Sequence, residues 1–341
     1  MVQTRKLALF TLRINAYRNI NLINMLNAYT LFVVSILLLS PIKSPAQFSD
    51  IHEIFVPTPA KICKADNEKE WVSVSGFAHL LLFYGRGETD LPTFTSGNLM
   101  IEALTDEKAA IKAFGETPFV ITRNGLRYRL RDDAVFHSNV GEVHRDQVIA
   151  TFAALNLPLN TPISVGSQRF SINDLLSESV ANFNLNEKEP AWTAMAFTKY
   201  LPPQEKWVNR FGEATSFSDL TRHLFGVNLN AQSCGGTHIL EALIQIFNTD
   251  HHHPILDYKT RMELTSYLKN IAVEIAQNQQ SDGHWDMHWC GALGSDTASM
   301  PPIESRLLVT GHLLQMLDEL DPQFRPPNTV LLKGAQWVTQ T

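Results

Sequence analysis

The sequence has no Gly-rich loop for cradling phosphates, no Gly-x-Ser-x-Gly elbow and no His-Glu-x-x-His pair. The chemistries carried by those motifs therefore have no foothold. Lysine and arginine nowhere gather into a cluster, and the net charge is −6 over 341 residues. Nucleic-acid binders usually show a basic face, so nucleic acid is not an expected partner. Cysteine is scarce: Cys63, Cys234 and Cys290, with no CxxC pair, which excludes a zinc ribbon. No Asp or Glu precedes Asp50.

That last gap marks off the first 47 residues. Arg5, Lys6, Arg13 and Arg18 make a cationic start, a dense apolar run follows over residues 28–39, and Ser40-Pro41 closes it. Cationic start, apolar centre and small-residue exit are the parts of an export signal or anchor. The run alone is shorter than the roughly 20 apolar residues of a membrane span; carried back to Ile20 it reaches that length but takes in Asn21, Asn24 and Asn27. Residues 1–47 are read as a signal or anchor segment, a transmembrane helix if uncleaved. The membrane is then a partner through this segment, and the bulk of the chain is extracytoplasmic. Residues 48–70, with Pro57 and Pro59, are read as a linker, and 71–341 as one domain.

The 44% hydrophobic content of the whole chain gives ample core material. Apolar spacing predicts helices over 71–84, 99–114, 143–155, 172–183, 191–200, 217–225, 237–247, 259–279, 303–320 and 330–338. Residues 119–130 alternate around Asn124-Gly125, which predicts one small β-hairpin. Short Pro/Gly-marked turns between helices suggest consecutive antiparallel pairs. The helices share a local signature. Gly76-Phe77-Ala78-His79-Leu80-Leu81 is echoed by Gly236-Thr237-His238-Ile239-Leu240 and by Thr310-Gly311-His312-Leu313-Leu314. A histidine leading into an aliphatic run, repeated, is what a ring of helical hairpins would leave.

Gln279-Gln280-Ser281-Asp282-Gly283-His284-Trp285 fits Q-x-x-D-G-x-W, and Lys333-Gly334-Ala335-Gln336-Trp337-Val338 fits the opening K-G-x-x-W-V. The pattern resembles the QW repeat of squalene-hopene cyclases and related prenyltransferase-like toroids, firmly over about 260–341 and loosely back to Trp71. The resemblance implies an all-α, α/α-toroid fold of antiparallel helical hairpins, with inner-helix N-termini open to a central cavity. His79, Trp192, His238 and His312 would then stand at its mouth. The Asp-x-Asp-Asp and Asp-Asp-x-x-Asp motifs of isoprenoid cyclisation are missing, which disfavours that reaction.

Two constellations carry chemistry. Cys234 and His238 are four apart beside Gly235-Gly236, and His288 and Cys290 lie downstream. Thiolate with imidazole favours zinc. Toroid prenyltransferases and lanthionine cyclases hold zinc this way, so Cys234, His238 and Cys290 are the candidate metal ligands, with His288 or His312 as alternative histidines. The other readings of the two cysteines are a Cys234–Cys290 disulfide and two buried thiols. In the second constellation, Glu142, His144 and Asp146 combine imidazole and carboxylates for acid–base work; the same residues also suit a charged first helical turn. His144, Asp146 and His312 are the candidate catalytic residues. His251-His252-His253 reads as a solvated loop.

The function classes left open are two. One is a cavity enzyme, a lyase, epimerase or hydrolase on a carbohydrate or a zinc-dependent transferase, taking a small-molecule, glycan or peptide ligand. The other is a non-catalytic envelope scaffold or ligand-binding protein stapled by a Cys234–Cys290 disulfide.

Overall fold

Caps and glycines set the helix boundaries. The computed structural model describes residues 72–341 apart from 90, 132–139, 188, 204–205, 230–231 and 291–302. Helix α1 (Val74–Tyr84) starts at Ser73, whose hydroxyl accepts the Gly76 amide at 3.0 Å. One helix is expected over 99–114; the structure has two, α2 (Gly97–Thr105) and α3 (Glu107–Phe114). The break is Asp106, extended at φ −129°, which closes α2 and whose carboxylate caps α3 on Ala109. Apolar periodicity runs through such a junction because both halves bury the same face.

Next come a hairpin, β1 (Phe119–Ile121) with β2 (Leu126–Tyr128), and helix α4 (Gln147–Ala154). A second hairpin, β3 (Pro162–Val165) with β4 (Gln168–Ser171), leads into α5 (Ile172–Asn182). Helix α6 (Pro190–Tyr200) opens with proline at its first position. A third hairpin, β5 (Trp207–Val208) with β6 (Ala214–Thr215), precedes α7 (Phe217–Phe225), where Ser216 and Asp219 form a capping box. Helices α8 (Thr237–His252), α9 (Tyr258–Gln277), α10 (Ile303–Glu319) and α11 (Asn328–Gln340) complete the chain.

Among the described residues the chain is thus mostly helical, eleven helices with small antiparallel hairpins. Three hairpins stand where one is expected. The expected one is marked by its Asn124-Gly125 turn; strands of two to four residues give periodicity too little to mark the others.

Burial separates inner from outer helices. Every residue from Pro190 to Thr198 of α6 is buried, as is Gln147 to Ala153 of α4. A helix apolar or satisfied all round belongs inside. Helix α4 packs between α1 and α6, α6 packs against α8, and α8 against α10. Helix α9 is amphipathic instead, with Leu264, Leu268 and Ile275 inward and Tyr258, Met262 and Val273 exposed.

The Gln279–Trp285 stretch joins the end of α9 to α11. The Gln279 amide donates to the carbonyls of Gly283 and Val330, both at 2.8 Å. Gly283 sits at φ 110°, and a Cβ there would come 2.4 Å from the Lys333 carbonyl oxygen. Trp285 is fully buried, donates Nε1–H to the Ile275 carbonyl at 2.7 Å and lies over Gly334 of α11.

One sequence expectation needs correction. Among the described residues no helix is long and apolar enough to cross a membrane, which corrects the expected transmembrane helix. Segment 1–47, on which that expectation rested, and linker 48–70 lie outside the described residues.

Candidate metal centre

The turn before α8 carries an unusual backbone. Cys234 (φ 54°), Gly235 (φ 64°) and Gly236 (φ 76°) are left-handed in succession. Glycine adopts this freely; cysteine pays of order 1–3 kcal/mol. The surroundings hold the turn: Trp289 Nε1–H donates to the Gly235 carbonyl at 2.8 Å, and Thr237 Oγ1–H to the Cys234 carbonyl at 3.0 Å. The effect is to place the Cys234 thiol near His238, the second residue of α8.

His312 reaches the same point from α10. One donor atom from each of Cys234, His238 and His312 lies within 4.8 Å of the other two. Both histidines are buried and Cys234 is half-buried. Neither ring nitrogen of His238 makes a hydrogen bond among the described residues. A buried imidazole left in this way, beside a thiol and a second imidazole, fits a soft-to-borderline metal ion.

Three further side chains frame the donors. The Trp192 indole centroid is 4.7 Å from that of His238 and 6.0 Å from that of His144, on which it stacks. His144 lies 5.7 Å from His238 and hydrogen-bonds through Nδ1 to the Glu189 carboxylate. The other Glu189 oxygen accepts from the Ser233 hydroxyl. Glu189, Trp192, Gln232, Ser233 and His238 are among the residues that line a small open cleft at this point.

The electrostatics divide the imidazoles. Burial works against a charged His238, but Cys234 and Glu241 outweigh it and push the ring up to about 10. Burial pulls His79 down to about 4 and His312 well below the usual value, with His238 adding to both. Partial burial opposes ionisation of Glu189, yet the hydrogen bonds from His144 and Ser233 hold it below the usual carboxylate value.

The structure therefore gathers Cys234, His238, His312 and His144 and leaves out three expected members. Cys290 packs with the partly buried apolar side chains against the core, near Tyr267, and does not join the donor group. His312 supplies the third donor atom of the group instead. No disulfide links Cys234 and Cys290, which removes the expected staple. His288 is exposed. Asp146 faces away: its Oδ2 accepts from Ser179 at 2.6 Å and Thr193 at 2.7 Å, beside a pocket that it lines with Glu142 and Arg145. There it fixes the loop bearing His144, itself left-handed at φ 61°. Glu142 Oε1 accepts the Val148 amide at 2.7 Å, tying the same loop to α4. Burial, and next the proximity of Asp146, push Glu142 and Glu187 each up to about 8.

Sequence reasoning missed Glu189, Ser233 and Glu241 as site members. Glu241 was legible as the i+3 neighbour of His238 on one helix face; Glu189 and Ser233 depend on contacts over 44 positions or more. No family model, curated protein or solved structure matches the chain.

Proposed function

We propose that the chain is a zinc-dependent enzyme, a hydrolase or transferase, built on a ring of helical hairpins. The observation that carries this reading is the convergence of Cys234, His238 and His312 donors within 4.8 Å, beside a cleft that His238 lines. Three protein ligands are the number used in catalytic zinc sites, which keep a fourth position for water or substrate. Zinc bound there would act as a Lewis acid toward a substrate oxygen or water. His144, hydrogen-bonded to Glu189 and 5.7 Å from His238, is placed to exchange a proton with a group in the cleft.

The toroid reading is supported by the order of inner helices. Helices α1, α4, α6, α8 and α10 follow one another in packing, and bring His79, Gln147, Trp192, His238 and His312 to one region.

The test is metal analysis of the purified full chain after exposure to zinc. One zinc per chain, lost in Cys234→Ser and in His312→Ala, supports the proposal. A folded wild-type chain that retains no zinc overturns it.

A further inference from the structure

The cleft beside the donors carries a negative charge in its wall. Glu189, Trp192, Ser233 and His238 line it together. Glu189 immediately precedes α6, and Trp192 lies in the first turn of that helix. Both meet His144, the carboxylate by a hydrogen bond and the indole by stacking at 6.0 Å. The Glu189 side chain is 19% exposed. Partial burial opposes its ionisation, but the hydrogen bonds from His144 and Ser233 outweigh it and keep the group charged at neutral pH. Those two bonds leave acceptor positions open, since a carboxylate offers about four. Among the described residues that line the cleft there is no lysine or arginine, and Arg145 pairs with Glu187 at 3.8 Å. A bound zinc would not supply the counter-charge. The Cys234 thiolate and the Glu241 carboxylate, 3.7 Å from His238, already offset its two charges. The start of α6 favours a negative group, and Glu189 is that group.

We infer that Glu189 is the specificity-determining residue of the cleft and takes the primary ammonium group of a substrate. The inference rests on the metal-site reading for its catalytic meaning and names the substrate class of that site. An ammonium brings three N–H donors and a full positive charge in a compact head. A small cleft admits that head, whereas the planar fork of a guanidinium needs a wider opening. Bonds between ionised partners are roughly twice as strong as neutral ones, so a hydroxyl or carboxamide is the weaker guest. A carboxylate guest meets Glu189 as a like charge. Ser233 is exposed, so its hydroxyl can yield its place on Glu189 and return to water without leaving a buried group unmet. His238 lines the same cleft, so a group held on Glu189 adjoins the donor cluster.

The test follows the six tryptophan indole N–H resonances of the ¹⁵N-labelled full chain, with Trp192 assigned by its loss in Trp192→Phe. Butylammonium, butanol, butyrate and butylguanidinium are each titrated at neutral pH into zinc-loaded and metal-free protein. Butylammonium is expected to shift the Trp192 resonance saturably in both forms, and to bind about tenfold more tightly than the other three. Glu189→Gln keeps an oxygen for the Ser233 hydroxyl and should abolish that preference, the other five indole signals reporting that the variant is folded. A Trp192 resonance that no probe moves, equal binding of any other probe, or an undiminished preference in Glu189→Gln overturns the assignment. So does a shift confined to the zinc-loaded protein, which would mark the amine as a metal ligand. Zinc binding without ammonium selectivity sinks this inference and leaves the metal reading intact. Ammonium selectivity in a chain that takes no zinc does the reverse.

Discussion

The Glu241 carboxylate stands 3.7 Å from Nδ1 of His238, one turn along the same helix, with both side chains under one-tenth exposed. A carboxylate at Nδ1 turns Nε2 toward the metal and raises the basicity of the ring. Glu241→Gln is therefore expected to weaken zinc binding about 10–100-fold in chelator competition, with Glu241→Asp recovering part of the loss. Equal affinity in wild type and Glu241→Gln would show that the carboxylate has no hold on the ligating ring.

The placement of the two cysteines separates the structural ligand set from the one expected from spacing. Cys290→Ser should keep full zinc stoichiometry through gel filtration, whereas His312→Ala should lose it. A zinc-free Cys290→Ser protein would put the second sulfur in the centre and remove His312 from it.

Glu142 supplies a pH signature. Its carboxyl is raised from 4.5 to about 8 by burial, and next by Asp146. Between those values the native state holds a proton that the unfolded chain releases. Stability from this group is complete below 4.5 and is lost as pH climbs through 8, with a limiting slope of about 1.4 kcal/mol per pH unit. Glu142→Gln keeps an oxygen for the Val148 amide and removes the titration. In denaturant unfolding, the wild type should therefore decline relative to the variant from pH 5 to pH 8. Parallel curves would contradict a raised carboxyl.

Gly283 tests the turn that joins α9 to α11. Its φ of 110° is open to glycine, and a Cβ would press to 2.4 Å against the Lys333 carbonyl oxygen. Gly283→Ala should cost about 1–3 kcal/mol in chemical unfolding. A neutral result would mean that the turn relaxes freely.

This turn was legible because its requirements are local: glycine for a positive φ, glutamine for two carbonyls, tryptophan for the facing helix. Helix positions were legible for the same reason, since Ser216, Asp257 and Pro190 act within one turn. The donor pair Cys234 and His238 could be read from spacing, and a left-handed turn, not a shared helical face, is what brings the two together. The third ligand could not, because whether Cys290 or His312 meets that pair depends on how α10 packs against α8. Asp146 shows the converse. Its spacing from Glu142 suits shared chemistry, yet a left-handed backbone turns it to Ser179 and Thr193.

X-ray absorption at the zinc edge of the loaded full chain tests the centre most directly. One sulfur at about 2.3 Å and two imidazole nitrogens at about 2.0–2.1 Å, with a light fourth ligand, are expected. Two sulfurs in the shell, or none, would contradict a centre built from Cys234, His238 and His312.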